Sequence, residues 1–259
     1  VTAWARIAEN LRLGQDVFRL RLEAPEIAAQ ARPGQFVMLK VRHGGDPLLA
    51  RPFSIHGAEN GELFILYRVV GRGTKILSMA RPGKNLALWG PLGRGFDLGV
   101  ANPVLVAGGM GMAPLPFTAE ELVREGKRPA FLLGMLTTGG YVALVDALDK
   151  RLKNVGVAIS WASEDGGLGR KGLVTALLAE ALQNGAAHIL ACGPLPMLKA
   201  VAALAAEHGA PCQVSLEAPM ACGIGVCLGC ALPAAGEGYL RACQEGPVLD
   251  SARLDWARL

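Results

Sequence analysis

Four cysteines near the C-terminus constrain this chain more than any other feature. They run Cys222-x4-Cys227-x2-Cys230, and then Cys243 follows. The fold has to gather these thiols. C-x4-C-x2-C…C is the plant-type spacing for a [2Fe–2S] cluster, which takes four thiolates. Structural zinc sites use pairs at C-x2–4-C, so the triple favours the iron–sulfur reading, with zinc or unligated thiols as the alternatives. Gly223, Gly225 and Gly229 lie between the ligands. They let the loop wrap tightly and turn backbone N–H groups toward sulfur. Cys192 and Cys212 stand apart. In a reducing compartment, crowded cysteines point to metal or redox chemistry rather than disulfides.

The rest of the chain falls into two patterns. Up to about residue 99 it reads as short strands: Val17 to Leu22, Gln35 to Val41, Leu63 to Val70 and Leu86 to Trp89. Turn clusters at 32–34, 43–47, 60–61 and 81–83 separate them, which predicts a small antiparallel barrel or sandwich. Lys75 to Ala80 reads as one short helix. Within this part lie Arg51-Pro52-Phe53-Ser54, Leu66-Tyr67-Arg68 and Gly73-Thr74. An arginine and a serine at a strand end suit a pyrophosphate, by charge and by hydroxyl. Backbone N–H groups at a helix start favour anions as well. Taken singly, each string is also an ordinary turn or strand.

From Val100 onward, strands alternate with helices, which implies a parallel sheet with crossovers. The expected strands are Val104 to Ala107, Ala130 to Gly134, Val155 to Trp161 and His188 to Ala191, and the helices between them end with Met197 to His208. Val214 to Leu216 reads as a last strand. The first strand runs into Gly108-Gly109-Met110-Gly111, then a helix with proline near its start. This is not G-x-G-x-x-G, yet its glycines allow a dinucleotide to approach the backbone. Cys192-Gly193-Pro194 ends a later strand at the carboxyl edge, where ligands bind in open α/β sheets. A buried Cys192 is equally readable as a small hydrophobe. The loop 165–169 lies at the same edge. The expected units are 1–99, 100–212 and 213–259.

Several functions are excluded. Net charge is only +4, without a basic run, and aromatic residues make up 5%, so nucleic acid is not an expected partner. No apolar run reaches the ~18 residues of a membrane span, and no signal peptide is read at the start, so a cytoplasmic setting is expected. His43, His56, His188 and His208 are scattered without ligand or triad spacing, and no hydrolase motif appears.

Together these strings resemble the ferredoxin–NADP reductase superfamily, and within it the electron transfer subunits of NAD-dependent (class 1B) dihydroorotate dehydrogenases. The resemblance covers nearly the whole chain. It implies a multidomain α/β fold: an FAD-binding antiparallel β-barrel, a central parallel α/β NAD-binding domain and a small C-terminal [2Fe–2S] domain. It assigns FAD contacts to Arg51, Pro52, Phe53, Ser54, Leu66, Tyr67, Arg68, Gly73 and Thr74. NAD contacts fall to Gly108, Gly109, Gly111, Cys192, Gly193 and Pro194, and the cluster to Cys222, Cys227, Cys230 and Cys243. It further implies an FMN-containing catalytic partner, a heterotetramer of two each, and a place in pyrimidine biosynthesis. Two departures stand out: Pro219 replaces an expected basic residue, and Met135 to Gly140 lacks the expected charges.

The cofactors also require one another. A [2Fe–2S] cluster passes single electrons and a nicotinamide accepts a hydride, so a flavin is needed between them. No residues remain for a substrate barrel. Two other functions fit the same motifs: a flavin subunit of a hydrogenase or ferredoxin-dependent transhydrogenase, and a non-enzymatic redox sensor. NAD rather than NADP is expected, because the turn 136–140 carries no basic residue and the next begins Ser163-Glu164-Asp165.

Overall fold

A computed structural model describes residues 1–42 and 44–259; His43 of the turn 43–47 lies outside the described residues. The N-terminal part is one antiparallel sheet. Its strands are β1 (Thr2–Arg12), β2 (Val17–Glu23), β3 (Phe36–Lys40), β4 (Arg51–Ser54), β5 (Gly57–Glu59), β6 (Glu62–Arg68) and β7 (Asn85–Leu92). The spatial order is β4-β3-β7-β1-β2-β6-β5. β4 and β5 hold opposite edges, yet only Ile55 and His56 join them. Such a link spans about 10 Å at most, so the sheet must curl into a barrel. The His56 N–H donates to the Phe64 carbonyl at 2.8 Å across the closure. Ile7, Leu20, Leu22, Leu39, Leu63 and Ile65 fill the interior. Two short helices, α1 (Pro25–Ala28) and α2 (Arg72–Ser78), sit in the connections.

β1 is the longest of the strands that periodicity does not reveal. Its inward positions are Ala5 and the fully buried Ile7, its large Trp4 faces outward, and a bulge between Ile7 and Glu9 breaks the alternation.

The second sheet is parallel: β8 (Pro103–Gly108), β9 (Ala130–Met135), β10 (Ile159–Ser163), β11 (Arg170–Lys171), β12 (His188–Cys192) and β13 (Cys212–Ser215). Helices α3 (Leu115–Arg124), α4 (Val142–Lys153), α5 (Val174–Gln183) and α6 (Leu195–Glu207) cover it. β10 begins four residues later than the apolar pattern suggests. Val155 and Val157 instead close the end of α4, both donating to the Leu152 carbonyl around Gly156 at φ +78°. The sheet is buried on both faces, because Leu105, Phe131 and Leu190 pack on one side and Val104, Leu132 and Ile189 on the other. That double burial explains the continuous apolar strands.

The order is β11-β10-β9-β8-β12-β13, with a last strand from the C-terminal segment beyond β13. It reverses between β8 and β12, the switch point where open α/β sheets bind ligands. The C-terminal segment forms a small hairpin, β14 (Ala231–Pro233) with β15 (Tyr239–Arg241). It then adds β16 (Val248–Asp250) antiparallel to β13, so the cysteine segment is anchored in the same sheet. Among the described residues, no helix is long and apolar enough to cross a membrane.

Candidate functional site

The cysteine loop lies on the barrel. Gly223 has φ +72°, and a Cβ there would sit 2.5 Å from Met38 of β3. The Trp89 indole on β7 donates to the Cys222 carbonyl at 3.2 Å. Arg241 braces the other side, donating to the Gly225 carbonyl at 3.2 Å and pairing with Glu245 at 2.6 Å. That guanidinium holds the Glu245 carboxyl down to about 2.

The four thiols fall into two pairs. The Cys230 and Cys243 sulfurs lie 3.2 Å apart, both buried. Cys222, half-buried, accepts hydrogen bonds from exposed Cys227, and its thiol is drawn down to about 6, chiefly by backbone N–H groups. Burial and the Cys230 neighbour push Cys243 up to about 11. Ile224 N–H donates to Cys222 Sγ at 3.4 Å and Gly225 N–H to Cys243 Sγ at 3.1 Å. Among the described residues, no three His, Cys, Asp or Glu side chains converge to hold a single metal ion. Two thiol pairs suit a two-iron cluster with two thiolates per iron better than four thiolates around one zinc.

A cavity of about 310 Å³ opens beside this loop. From the barrel it takes Arg51, Pro52, Phe53, Ser54, Leu66, Tyr67, Arg68 and Thr74. From the sheet's carboxyl edge it takes Met110, Ala113 and Cys192; from the segment leading into the cysteines it takes Ser215, Glu217 and Met220. Tyr67 is buried, edge-on to Phe53 at 5.9 Å and stacked on Phe18 at 5.5 Å. Its hydroxyl donates to Asn10 at 3.0 Å, and burial raises its pKa. The Thr74 hydroxyl is occupied at the start of α2, accepting from the Val70 and Gly71 N–H groups and donating to the Gly71 carbonyl. Gly73 is the close-approach position: a Cβ there would lie 2.5 Å from Arg51 Nε. Glycine therefore lets the guanidinium rest on the first turn of α2, where N–H groups lack helical partners. A cation, free N–H groups and aromatic walls fit a flavin dinucleotide.

At the switch point two turns interlock. A Cβ on Gly111 would fall 1.8 Å from the Cys192 carbonyl, and one on Gly193 would fall 2.5 Å from Met197. Gly108 and Pro194 pack in the same contact. These glycines seat protein on protein. Gly109, at φ +50°, faces open space. Burial and the Glu217 charge push the Cys192 thiol up to about 12, so it stays protonated. The Asp165 carboxyl is held low by the Thr137 hydroxyl and the Gly167 N–H, which ties the turns after β9 and β10 together. Arg170 pairs with Glu180.

Sequence reasoning does not single out Trp89, which carries no local signal. Met110 belongs to the glycine turn 108–111, and Ser215, Glu217 and Met220 to the strings that resemble the family's cluster-binding segment; what the sequence does not show is that all four line the cavity beside Arg51.

The matching family models follow the same three parts. They are the oxidoreductase FAD-binding domain over residues 5–96, the oxidoreductase NAD-binding domain over 105–203, and the iron–sulfur cluster binding domain of dihydroorotate dehydrogenase B over 217–255. The dihydroorotate dehydrogenase B (NAD(+)) electron transfer subunit of Desulforamulus reducens is 36% identical, over 97% of each chain. The protein of the same description from Caldanaerobacter subterraneus is 37% identical, over 94% of each. A solved structure of an NADH-dependent reduced ferredoxin–NADP oxidoreductase superposes with a TM-score of 0.86 at 29% identity, over 99% of this chain and 91% of that one.

Proposed function

The chain belongs to the family of dihydroorotate dehydrogenase B (NAD(+)) electron transfer subunits, and from that membership we propose how its residues serve the role. It is an NAD-linked flavin and iron–sulfur oxidoreductase subunit in pyrimidine biosynthesis, carrying electrons between a dihydroorotate-oxidising partner and NAD+. The observation that supports the residue-level reading is the 310 Å³ cavity, whose walls come from the barrel, the nucleotide edge and the approach to the cysteines. When bound there, FAD supplies the exchange between two-electron and one-electron chemistry.

Arg51 neutralises a phosphate and Gly73 keeps its guanidinium close to the first turn of α2. Pro52, Phe53, Leu66 and Tyr67 would keep water from a flavin bound there, and Ser54, Arg68 and Thr74 would supply the polar part of the lining. Gly109 admits the nicotinamide dinucleotide where Gly108, Gly111, Gly193 and Pro194 fix the two turns. Cys192 keeps its proton and closes the floor. Cys222, Cys227, Cys230 and Cys243 hold the cluster, and Trp89 fixes the loop to the barrel. The units 1–99, 100–212 and 213–259 carry FAD, NAD and cluster respectively.

The partner is an FMN-containing catalytic subunit, two of each forming a heterotetramer. Ile224, Val226 and Leu228 are more than half exposed around Cys227, an apolar rim that suits a subunit interface. A second reading, a subunit of a ferredoxin–NADP oxidoreductase, is favoured by the structural likeness alone. Co-expression separates them: stable co-purification with a dihydroorotate dehydrogenase, with dihydroorotate-driven NAD+ reduction, supports the first. Failure to bind it, with ferredoxin-driven turnover instead, supports the second.

A further inference from the structure

A larger cavity, of about 540 Å³, lies elsewhere between the barrel and helices α3 and α4. Most of its helical wall comes from the middle and C-terminal turns of α3 and α4, including Glu120, Arg124, Leu148 and Arg151. In a parallel α/β sheet, those helix ends lie toward the amino edge of the strands, away from the nucleotide edge. It shares only Leu66 with the flavin cavity.

The lining has two chemical parts. Leu13, Phe64, Phe117 and Leu148 form apolar walls, while Arg19, Arg124, Lys150 and Arg151 face two carboxylates, Glu59 and Glu120. Glu120 is taken up by Arg151, at 2.7 Å to each carboxylate oxygen. Arg124 pairs with Glu121. Arg19 gives one nitrogen to Glu9 at 2.8 Å, and its Nε is buried without a partner. His56 is buried with Nδ1 2.6 Å from the Ala113 carbonyl. That tautomer leaves Nε2 as an acceptor. Burial, helped by the neighbouring Arg151 and Arg19, keeps the ring neutral. The three arginines are thus matched by carboxylates, and what is left over on the cleft wall is the buried Arg19 Nε and the Lys150 ammonium, exposed at the mouth and without an ion-pair partner among the described residues; unpaired donors on a partly apolar wall favour an anion.

We infer that this cleft is a second ligand site, separate from the FAD and NAD sites, and that it takes a planar organic anion with an N–H donor. The anionic group is met by Arg19 and Lys150, the planar body lies between the apolar walls, and the N–H reaches His56. The volume fits a ligand of mononucleotide size, within the usual range of small-molecule pockets.

The probe is 8-anilinonaphthalene-1-sulfonate, which combines a planar body, an N–H and a sulfonate. Equilibrium dialysis against the FAD- and cluster-loaded chain, saturated with NAD+, measures binding. We expect one molecule per chain, and at least tenfold weaker binding of the uncharged N-phenyl-1-naphthylamine. Arg19→Gln should weaken the anion at least tenfold, and Ala147→Trp, which fills the cleft from α4, should abolish binding, with FAD content and NADH oxidation unchanged. If Arg19→Gln loses FAD, Lys150→Ala takes its place. No saturable binding, equal binding of the uncharged analogue, or binding indifferent to Ala147→Trp would overturn the inference.

Discussion

Trp89 and Cys222 are 133 residues apart in sequence, and the indole of the first donates to the carbonyl of the second at 3.2 Å. This bond fixes the first of the four cysteines against the barrel that also lines the 310 Å³ cavity. Removing it by Trp89→Phe keeps the ring volume close and deletes one hydrogen bond, about 0.5–1.5 kcal/mol. The cluster should therefore bleach several-fold faster in the presence of an iron chelator, while FAD content stays unchanged. An unaltered bleaching rate would show that the loop is positioned without Trp89.

The cysteine spacing was legible because ligand chemistry dictates it, and Arg51 to Ser54 and Gly108 to Gly111 were legible because close approach to a ligand or to backbone demands those residue types. What the sequence withheld is non-local. The small inward Ala5 of β1 and the bulge beside Ile7 hide a strand. β16 joins the parallel sheet only through its pairing with β13. Met110 and Glu217 come to line the same cavity as Arg51 only when barrel and sheet dock. The glycines at 108, 111 and 193 carry a further physical role that the sequence does not show, since they seat two turns on each other.

Arg51→Ala should lower FAD affinity about ten- to a hundredfold, as the loss of a charge-assisted hydrogen bond worth roughly 1.5–3 kcal/mol requires. Gly73→Ala should act in the same direction, because its Cβ would displace the Arg51 guanidinium from 2.5 Å. Flavin released on dilution measures both variants. Full retention of FAD in both would remove this corner of the cavity from the site.

His56 gives the fold an acid-sensitive slope. Burial holds its pKa well below the ordinary 6.5, so the unfolded chain binds a proton there before the folded chain does. Stability is then complete above that pH and falls as pH drops below it, by up to about 1.4 kcal/mol per pH unit. His56→Asn should be less stable at pH 7.5 yet lose less between pH 7.5 and 5.5. Parallel pH profiles of the thermal midpoint for the two proteins would contradict this.

NADH should be preferred over NADPH. Asp165 is held ionised beside Thr137 and Gly167, and Arg170 is engaged with Glu180, so a 2′-phosphate would meet a carboxylate and no free guanidinium. Steady-state kinetics with ferricyanide as acceptor should give a specificity constant at least tenfold higher for NADH, narrowing in Asp165→Ser. An equal or higher value for NADPH would count against the assignment.

The central claim is that one chain joins a nicotinamide site, a flavin cavity and a four-cysteine cluster through a single cavity. Anaerobic titration of the purified chain with NADH, followed by visible absorption and electron paramagnetic resonance together with iron and flavin analysis, tests it most directly. The account predicts two irons per FAD, flavin bleaching on addition of NADH, and the paramagnetic signal of a reduced [2Fe–2S] cluster without any other reductant. A chain that carries zinc in place of iron, or whose flavin is bleached by NADH while the cluster answers only to an added chemical reductant, would contradict it.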